Sequence, residues 1–456
     1  MQNSKWKEEK ITWQPSFEFA VGYRGFPDDM EPFVLPPEPN PEYHVKLVSP
    51  NQLQLPEELS KKLGLEEGLS SLKVVQKGNR LEICPNLHSL AKLYIEPTSK
   101  CNLHCETCIR HTWHEPLGSM DRQVFDSLIE QMKEMKSLET VMFGGFGEPT
   151  FHKDILYMVG RVKSLGLNVE ITTNGTLLNR AMAKGLLENK LDTLWVSFDG
   201  CSADVFEDIR EGAKFNNVVE NLRELQRLNR YSPHKIKIGI AFVVMKRNIN
   251  DLKNLGKLAT RIGAQKVSVS NVIPYSAEMV DEMVCDLEVC GFQLPSCHSS
   301  QLAISIPLID KTELTKQPLF DLFKDYSNIS IMRNKVGTDT RSCRFIQERC
   351  AFVRWDGVVS PCMGLLHSHR TYFSLGKLER DVTHYGLGSI KEQTLKEIWD
   401  SPEYHNFREK VNEFSFSPCL LCASCDLARK NEEDCFGNTF PTCGGCLWSQ
   451  GVIQCP

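Results

Sequence analysis

The sequence predicts an α/β chain built on an incomplete parallel barrel of six βα units, with a cysteine-rich domain after it and a small hairpin module before it. Three observations carry that prediction. Between Ala91 and Asn271, short apolar runs alternate with amphipathic helical stretches, a pattern that calls for parallel strands joined by right-handed crossovers. A loop holding three cysteines follows the first of those runs, and ten more cysteines crowd into the last 114 residues.

Residues 1–42 hold seven prolines, among them Pro36, Pro37, Pro39 and Pro41. That density blocks regular helix and sheet, which predicts an extended arm with Trp6, Trp13 and Phe33 as anchors, or a partly disordered tail. Residues 43–87 read as strand, short helix and strand, with Lys77-Gly78-Asn79 as a hairpin turn. This module resembles the AbrB-like swapped-hairpin fold of transcription factors. Between Tyr43 and Cys84, however, six Lys and Arg face five Glu, an even balance that lacks the cationic excess DNA binding needs. A module docking a protein partner, or a structural cap, is the expectation instead.

Residues 88–275 form the predicted barrel, with strands over 91–96, 138–143, 167–172, 191–198, 235–244 and 266–271. Between them, Phe125, Leu128, Met132 and Met135, and later Leu252, Leu255, Ala259 and Ile262, recur at the helical spacing of 3, 4 and 3. In barrels of this type the chemistry sits at the carboxyl ends of the strands. The polar motifs of this chain fall there.

Directly after the first strand come Cys101, Cys105 and Cys108, spaced C-x3-C-x2-C, with Asn102 after the first. Structural zinc sites pair C-x2-C with a second such pair farther on, and this loop has another spacing. Three thiolates on one loop suit a 4Fe-4S cluster with one iron left open. The motif resembles that of the radical S-adenosylmethionine (SAM) superfamily. The resemblance implies that the open iron chelates SAM, which one electron cleaves to methionine and a 5'-deoxyadenosyl radical that abstracts hydrogen from substrate.

The same resemblance extends along the strand ends. Phe143-Gly-Gly-Phe-Gly-Glu-Pro149 is similar to the family's G-x-G-E-P element and implies SAM contacts for Gly145, Gly147, Glu148 and Pro149. Thr173, Asn174, Ser197 and Asp199 stand where the family contacts the ribose and methionine portions, and Arg210 stands where it pairs the SAM carboxylate. Each motif alone would read as a turn or cap. Their shared place in the barrel favours the site.

Residues 276–340 predict a helical insertion or linker, with Cys285, Cys290, Cys297 and His298 as reduced side chains outside any metal site. Over 341–456 the cysteines are 343, 350, 362, 419, 422, 425, 435, 443, 446 and 455, enough for two further cubanes. Gly357-Val-Val-Ser-Pro-Cys362 and Cys443-Gly-Gly-Cys446 resemble the SPASM extension of radical SAM peptide-modifying enzymes. The resemblance implies Cys343, Cys350, Cys362 and Cys446 as ligands of an inner auxiliary cluster, and Cys419, Cys422, Cys443 and Cys455 of an outer one. Cys425 and Cys435 interrupt the usual block, so which two thiols are spare stays open. No catalytic acid or base is assigned; His367, His369, Tyr372, His384 and Tyr385 are polar candidates.

The segment from Lys335 through Gly357 and the ending Cys443-Gly-Gly-Cys-Leu-Trp-Ser-Gln-Gly-Val-Ile-Gln-Cys-Pro456 resemble the radical SAM maturases of tungsten-cofactor oxidoreductases. That implies a tungsten-dependent oxidoreductase or its pterin cofactor as partner and a ferredoxin or flavodoxin as electron donor. Alternatives are modification of another peptide or protein, of the ribosomal-peptide or sulfatase-maturase kind, and a redox-sensing DNA-binding regulator. The SAM-contact motifs argue against a mere sensor. A net charge of -5 excludes general attraction to nucleic acid or anionic membrane. The polar start and the absence of any 18-residue apolar run predict a cytoplasmic protein. A reducing compartment also accounts for eighteen cysteines better than a disulfide scaffold does.

Overall fold

The computed structural model describes residues 43, 45–49, 52–65, 74–77, 80–83, 86–113, 115–285, 303–307, 309, 312–325, 329–331, 343–373, 377–417, 419–422 and 425–456. The predicted arm over 1–42 lies outside them, as do Cys290, Cys297 and His298. In the N-terminal module β1 (Lys46–Ser49) pairs antiparallel with β2 (Gln52–Gln54), a helix spans Glu57–Leu63, and β3 (Val74–Lys77) pairs antiparallel with β4 (Arg80–Ile83). The module thus opens on a hairpin rather than the single strand expected.

The six predicted barrel strands are all present: β5 (Lys92–Ile95), β6 (Thr140–Phe143), β7 (Asn168–Thr173), β8 (Thr193–Ser197), β9 (Lys237–Val244) and β10 (Ala264–Asn271). Each pairs in parallel with the next. Helices cover them, and a parallel sheet so covered needs apolar residues on both faces. The strand β8 accordingly buries Thr193 through Val196 without alternation. The helix Arg122–Met132 turns Phe125, Leu128, Ile129 and Met132 inward, each burial contributing roughly 1.5–3 kcal/mol.

The sheet does not stop at six strands. β11 (Ala303–Ile306) and β12 (Ile329–Ile331) continue it in parallel beyond β10, with helix Glu313–Asp325 between them. The region expected to be a helical insertion therefore extends the sheet: the short strand the sequence suggests over 329–332 is present as β12, whereas β11, four residues long, is too short for a period to be read from sequence.

On the other edge the cysteine-rich part joins the same sheet. β13 (Cys350–Val353) pairs in parallel with β5, and β14 (Val358–Ser360) pairs antiparallel with β13. A separate hairpin follows, β15 (His369–Tyr372) with β16 (Glu379–Val382), before β17 (Gly388–Ser389) closes the edge on β14. The strand that leads into the three-cysteine loop is thus flanked by the C-terminal part. The chain end also returns to the barrel: Asn271 Nδ2 donates to Val452 O at 2.9 Å, and Gln454 N to Ser270 Oγ at 3.1 Å. Among the described residues no helix is long and apolar enough to cross a membrane.

Candidate active site

Cys101, Cys105 and Cys108 lie on one loop beyond β5, and all three line a cavity of about 170 Å³ at the carboxyl ends of the strands. Each sulfur faces an N–H donor. Cys101 Sγ accepts from Leu103 N at 3.4 Å and from Asn174 Nδ2 at 3.8 Å, Cys108 Sγ from Arg110 Nε at 3.2 Å, and Cys105 Sγ from Arg210 Nη1 at 4.0 Å. Arg110 also laces the loop, donating to Ser99 O at 3.4 Å and Leu103 O at 3.1 Å.

Burial pushes the Cys101 thiol up and the Cys105 thiol up to about 11, against the pull of nearby N–H groups and guanidinium. Left to themselves these thiols stay protonated, and they ionise when positive charge enters the cavity. Three converging sulfurs with donors behind them fit the iron side of a thiolate-bound cluster.

The glycine-rich turn after β6 forms the opposite wall through Gly144, Gly145, Phe146 and Gly147. Gly145 has φ +123°, and a Cβ on Gly147 would fall 2.0 Å from Thr98 O. Only glycine lets the turn lie this close to the segment leading into the cysteine loop.

Glu148 lines the same cavity, but its carboxylate is occupied by the protein. Oε1 accepts from Thr150 N at 3.0 Å, Thr150 Oγ1 at 2.5 Å and Thr173 Oγ1 at 2.7 Å, and Oε2 accepts from Asn174 N at 2.7 Å. Burial pushes this carboxyl up, and the four donors pull it back. Glu148 and Thr173 therefore brace the ends of β6 and β7. Pro149 is buried at the start of a short 3-10 helix and lies outside the cavity lining.

Asn174 turns toward the cysteine loop, donating also to Asn102 Oδ1 at 3.0 Å, while Asn102 Nδ2 donates to Thr176 Oγ1 at 2.9 Å. Ser197 and Arg210 complete the lining. Asp199 stands behind it, fully buried and 2.9 Å from Arg210 Nε. Its carboxyl is pushed up by burial and drawn down by that guanidinium. Asp199 thus holds Arg210 and does not itself reach the cavity.

A second cavity, of about 40 Å³, lies in the C-terminal part and is lined by Cys343, Cys362, Cys443 and Cys446. Burial pushes Cys343 up to about 12, and Cys362 and Cys443 are likewise pushed up by burial and by the sulfurs of Cys343 and Cys446. The grouping differs from the one implied by resemblance: Cys443 joins this set, and Cys350 does not line the cavity. Cys350 begins β13 beside Lys92, and both Cys350 and Cys455 lie in the field of Tyr94 and Arg344.

Cys419 is buried against Ser417 Oγ at 3.0 Å, with Cys435 in its surroundings. Cys425 and Cys435 are exposed. Asp434 pins the Cys435 loop by accepting from Ser417 N, Phe436 N and Asn438 N, each at 3.0 Å. The side chain of Cys422 lies outside what is described.

The five polar candidates near this part stand apart from the first cavity. His369 lines the second one, Tyr372 donates to Glu379 at 2.9 Å, Tyr385 to Glu403 at 2.6 Å, His384 meets Ser368 Oγ at 2.9 Å, and His367 sits between Glu96 and Glu115. Sequence reading missed Arg110 and Glu96. Arg110 lies two residues past Cys108 and Glu96 ends the first apolar run, which were the available signals.

Outside these sites His88, His405 and Glu409 approach one another. Arg408 Nη2 lies 3.3 Å from His88 Nδ1, and His88 Nε2 lies 2.7 Å from Glu409. A guanidinium only donates, so the ring proton sits on Nε2 and the group is a latch within the fold.

A parallel α/β sheet that gathers three loop cysteines, a glycine turn and an Asp-held arginine at its carboxyl ends defines an iron-sulfur enzyme that uses SAM. Residues 95–259 match the radical SAM superfamily and residues 343–426 the SPASM iron-sulfur cluster-binding domain. The chain belongs to the radical SAM superfamily. It is 31% identical, over 80% of its own length and 96% of the relative's, to the tungsten-containing aldehyde ferredoxin oxidoreductase cofactor-modifying protein of Pyrococcus furiosus. It is 23% identical to the AdoMet-dependent heme synthase of Oleidesulfovibrio alaskensis over 77% and 81% of the two chains. Streptococcus suis SuiB bound to S-adenosylmethionine superposes with a TM-score of 0.47 at 18% identity, over 76% of this chain and 73% of that one.

Proposed function

We propose that this protein is a radical SAM maturase that modifies a tungsten-dependent oxidoreductase, either its polypeptide or its pterin cofactor. The observation that carries the reading is the 31% identity spanning nearly all of the Pyrococcus furiosus relative, joined to a cavity in which the three loop thiols meet the glycine turn. A cluster with SAM bound there supplies one-electron cleavage of SAM and hydrogen-atom abstraction.

The chain's own residues hold the pocket in shape. Arg110 and Arg210 present positive charge to the sulfurs, Glu148 ties the glycine turn to Asn174, and Asp199 fixes the direction of Arg210. We infer two auxiliary clusters, a reading the thiol inventory supports. Cys343, Cys362, Cys443 and Cys446 would hold the inner one, and Cys419, Cys422, Cys425 and Cys435 the outer one, leaving Cys350 and Cys455 as spare buried thiols. The two exposed cysteines put the outer cluster at the surface, within reach of a ferredoxin or flavodoxin in a reducing cytoplasm. The N-terminal module serves as the docking element.

Anaerobic incubation with SAM, reductant and a tungsten-containing aldehyde ferredoxin oxidoreductase, followed by mass spectrometry of polypeptide and cofactor, tests the reading. Release of 5'-deoxyadenosine with a mass change on either is the expected result. Release with neither changed would exclude this partner.

A further inference from the structure

His367 is 1% exposed, yet both of its ring nitrogens meet carboxylates: Nε2 lies 2.8 Å from Glu96 Oε2, and Nδ1 lies 2.8 Å from Glu115 Oε2. A neutral imidazole donates from one nitrogen only. Both contacts are satisfied together by the imidazolium. Burial disfavours that charge, but the hydrogen bonds the ring donates to the two carboxylates outweigh it, and the ring is held above its ordinary range.

The three residues come from separate parts of the chain. Glu96 ends the run of β5 just before the cysteine loop, Glu115 follows that loop, and His367 lies five residues beyond Cys362. The other oxygen of Glu96 continues the connection, since Oε1 accepts Phe146 N at 3.1 Å. A Cβ on Gly145 would sit 2.6 Å from Glu96 Cγ. Gly145 and Phe146 are cavity wall. Trp113 stacks on the imidazole at 4.2 Å and meets Phe146 edge-on at 5.4 Å, so the ring is fixed from its face as well as its edges.

We propose that His367 is a positioning residue for SAM: as an imidazolium clamped between Glu96 and Glu115, it holds Glu96, and Glu96 holds the glycine turn in its SAM-binding shape. Through it, the cysteine-rich C-terminal part adjusts the SAM pocket. This rests on reading the first cavity as the SAM site.

Other charged groups also act on the clamp. Glu115 lies 3.4 Å from Arg354 and 3.5 Å from His384, and accepts from Ser368 N at 2.9 Å. His369, whose Nδ1 meets His367 O at 2.8 Å, has Arg380 in its surroundings. Arg354 acts on both carboxylates, Glu115 first and then Glu96, and Arg380 opposes charge on His369; Glu96 takes its side-chain hydrogen bond from His367, so the buried Glu96 depends on that ring. As pH rises through the raised value of His367, the imidazolium is lost, the neutral ring donates to only one of the two carboxylates, the clamp on Glu96 loosens, and SAM affinity falls.

The test is equilibrium dialysis of labelled SAM against the anaerobically reconstituted full-length protein between about pH 6 and about pH 9, with iron content measured on every sample. Wild type should weaken about tenfold toward high pH, the worth of one charge-assisted hydrogen bond. H367Q should bind about tenfold more weakly at low pH with a flat profile. E115Q should keep the profile but move its midpoint down by about one unit. Wild type that binds no SAM at any pH would overturn the reading of the pocket, and the clamp with it. Wild type that binds while H367Q, loaded with the same iron, keeps its affinity and profile overturns the clamp alone. If H367Q does not load iron, E115Q decides, and an unmoved midpoint overturns the proposal.

Discussion

Glu148 Oε2 accepts the backbone N–H of Asn174 at 2.7 Å, joining the turn after β6 to the end of β7. The two residues are expected to touch SAM and both line the cavity, and the Glu148 carboxylate also holds the scaffold that shapes the pocket. Glu148→Gln replaces two acceptor oxygens with one and places an amide N–H against donors. Leaving buried donors unpaired costs about 1–3 kcal/mol, so SAM affinity should fall about tenfold or more at wild-type iron content. Dialysis of labelled SAM reads the effect, and unchanged affinity would remove Glu148 from the pocket's support.

Gly147→Ala tests the close approach of the turn. The added Cβ would lie 2.0 Å from Thr98 O and 2.8 Å from Lys100 O, both backbone atoms on the way into the cysteine loop. Since main chain cannot rotate aside, the variant should lose about 1–3 kcal/mol of stability and bind its first cluster poorly. Urea unfolding with iron analysis checks both, and a wild-type result in each would mean the loop moves freely.

How far the sequence reaches depends on the kind of signal. Six parallel strands were legible because each apolar run is bounded by turns and followed by a helical period, and the three-cysteine loop was legible from spacing within eight residues. The strand β11 was not, since Ala303-Ile-Ser-Ile reads equally as loop or strand. The partners of Cys443 were not either: Cys343 and Cys443 are a hundred residues apart in sequence and meet only through the fold around the second cavity. Glu96 and His367, 271 residues apart, carried no local motif at all.

The thiol grouping predicts an iron inventory. Reconstituted wild type should hold about twelve iron atoms, as three cubanes of four. Replacing Cys362 or Cys443 by Ala should lower this by about four, while Cys350→Ala and Cys455→Ala should keep all of it. The two outcomes separate the cavity set from the set implied by family resemblance, in which Cys350 and Cys455 are ligands. Loss of a cluster from Cys350→Ala would restore that earlier assignment.

The last prediction concerns the stability that the Glu115 carboxylate gives the joint between the two parts. Burial pushes this group up, but hydrogen bonds from His367 and Ser368 hold it at about 2, below its ordinary 4.5. A carboxylate so depressed contributes stability that is present above pH 4.5 and lost only as pH falls through about 2. Across the neutral range its own ionisation changes nothing. His367 has the opposite sign: its contribution is fully present below 6.5 and disappears as pH rises through its raised folded value. The difference in unfolding free energy between wild type and Glu115→Gln should therefore be largest near about pH 6 and shrink toward about pH 9. Because Glu115 is about a fifth exposed and shares its charge with Arg354, we expect a gap of about 1–2 kcal/mol at the lower pH rather than the full shift. Urea unfolding of the two proteins at matched iron content measures it, and a gap of the same size at both ends of the range would mean that His367 is not charged between its two carboxylates.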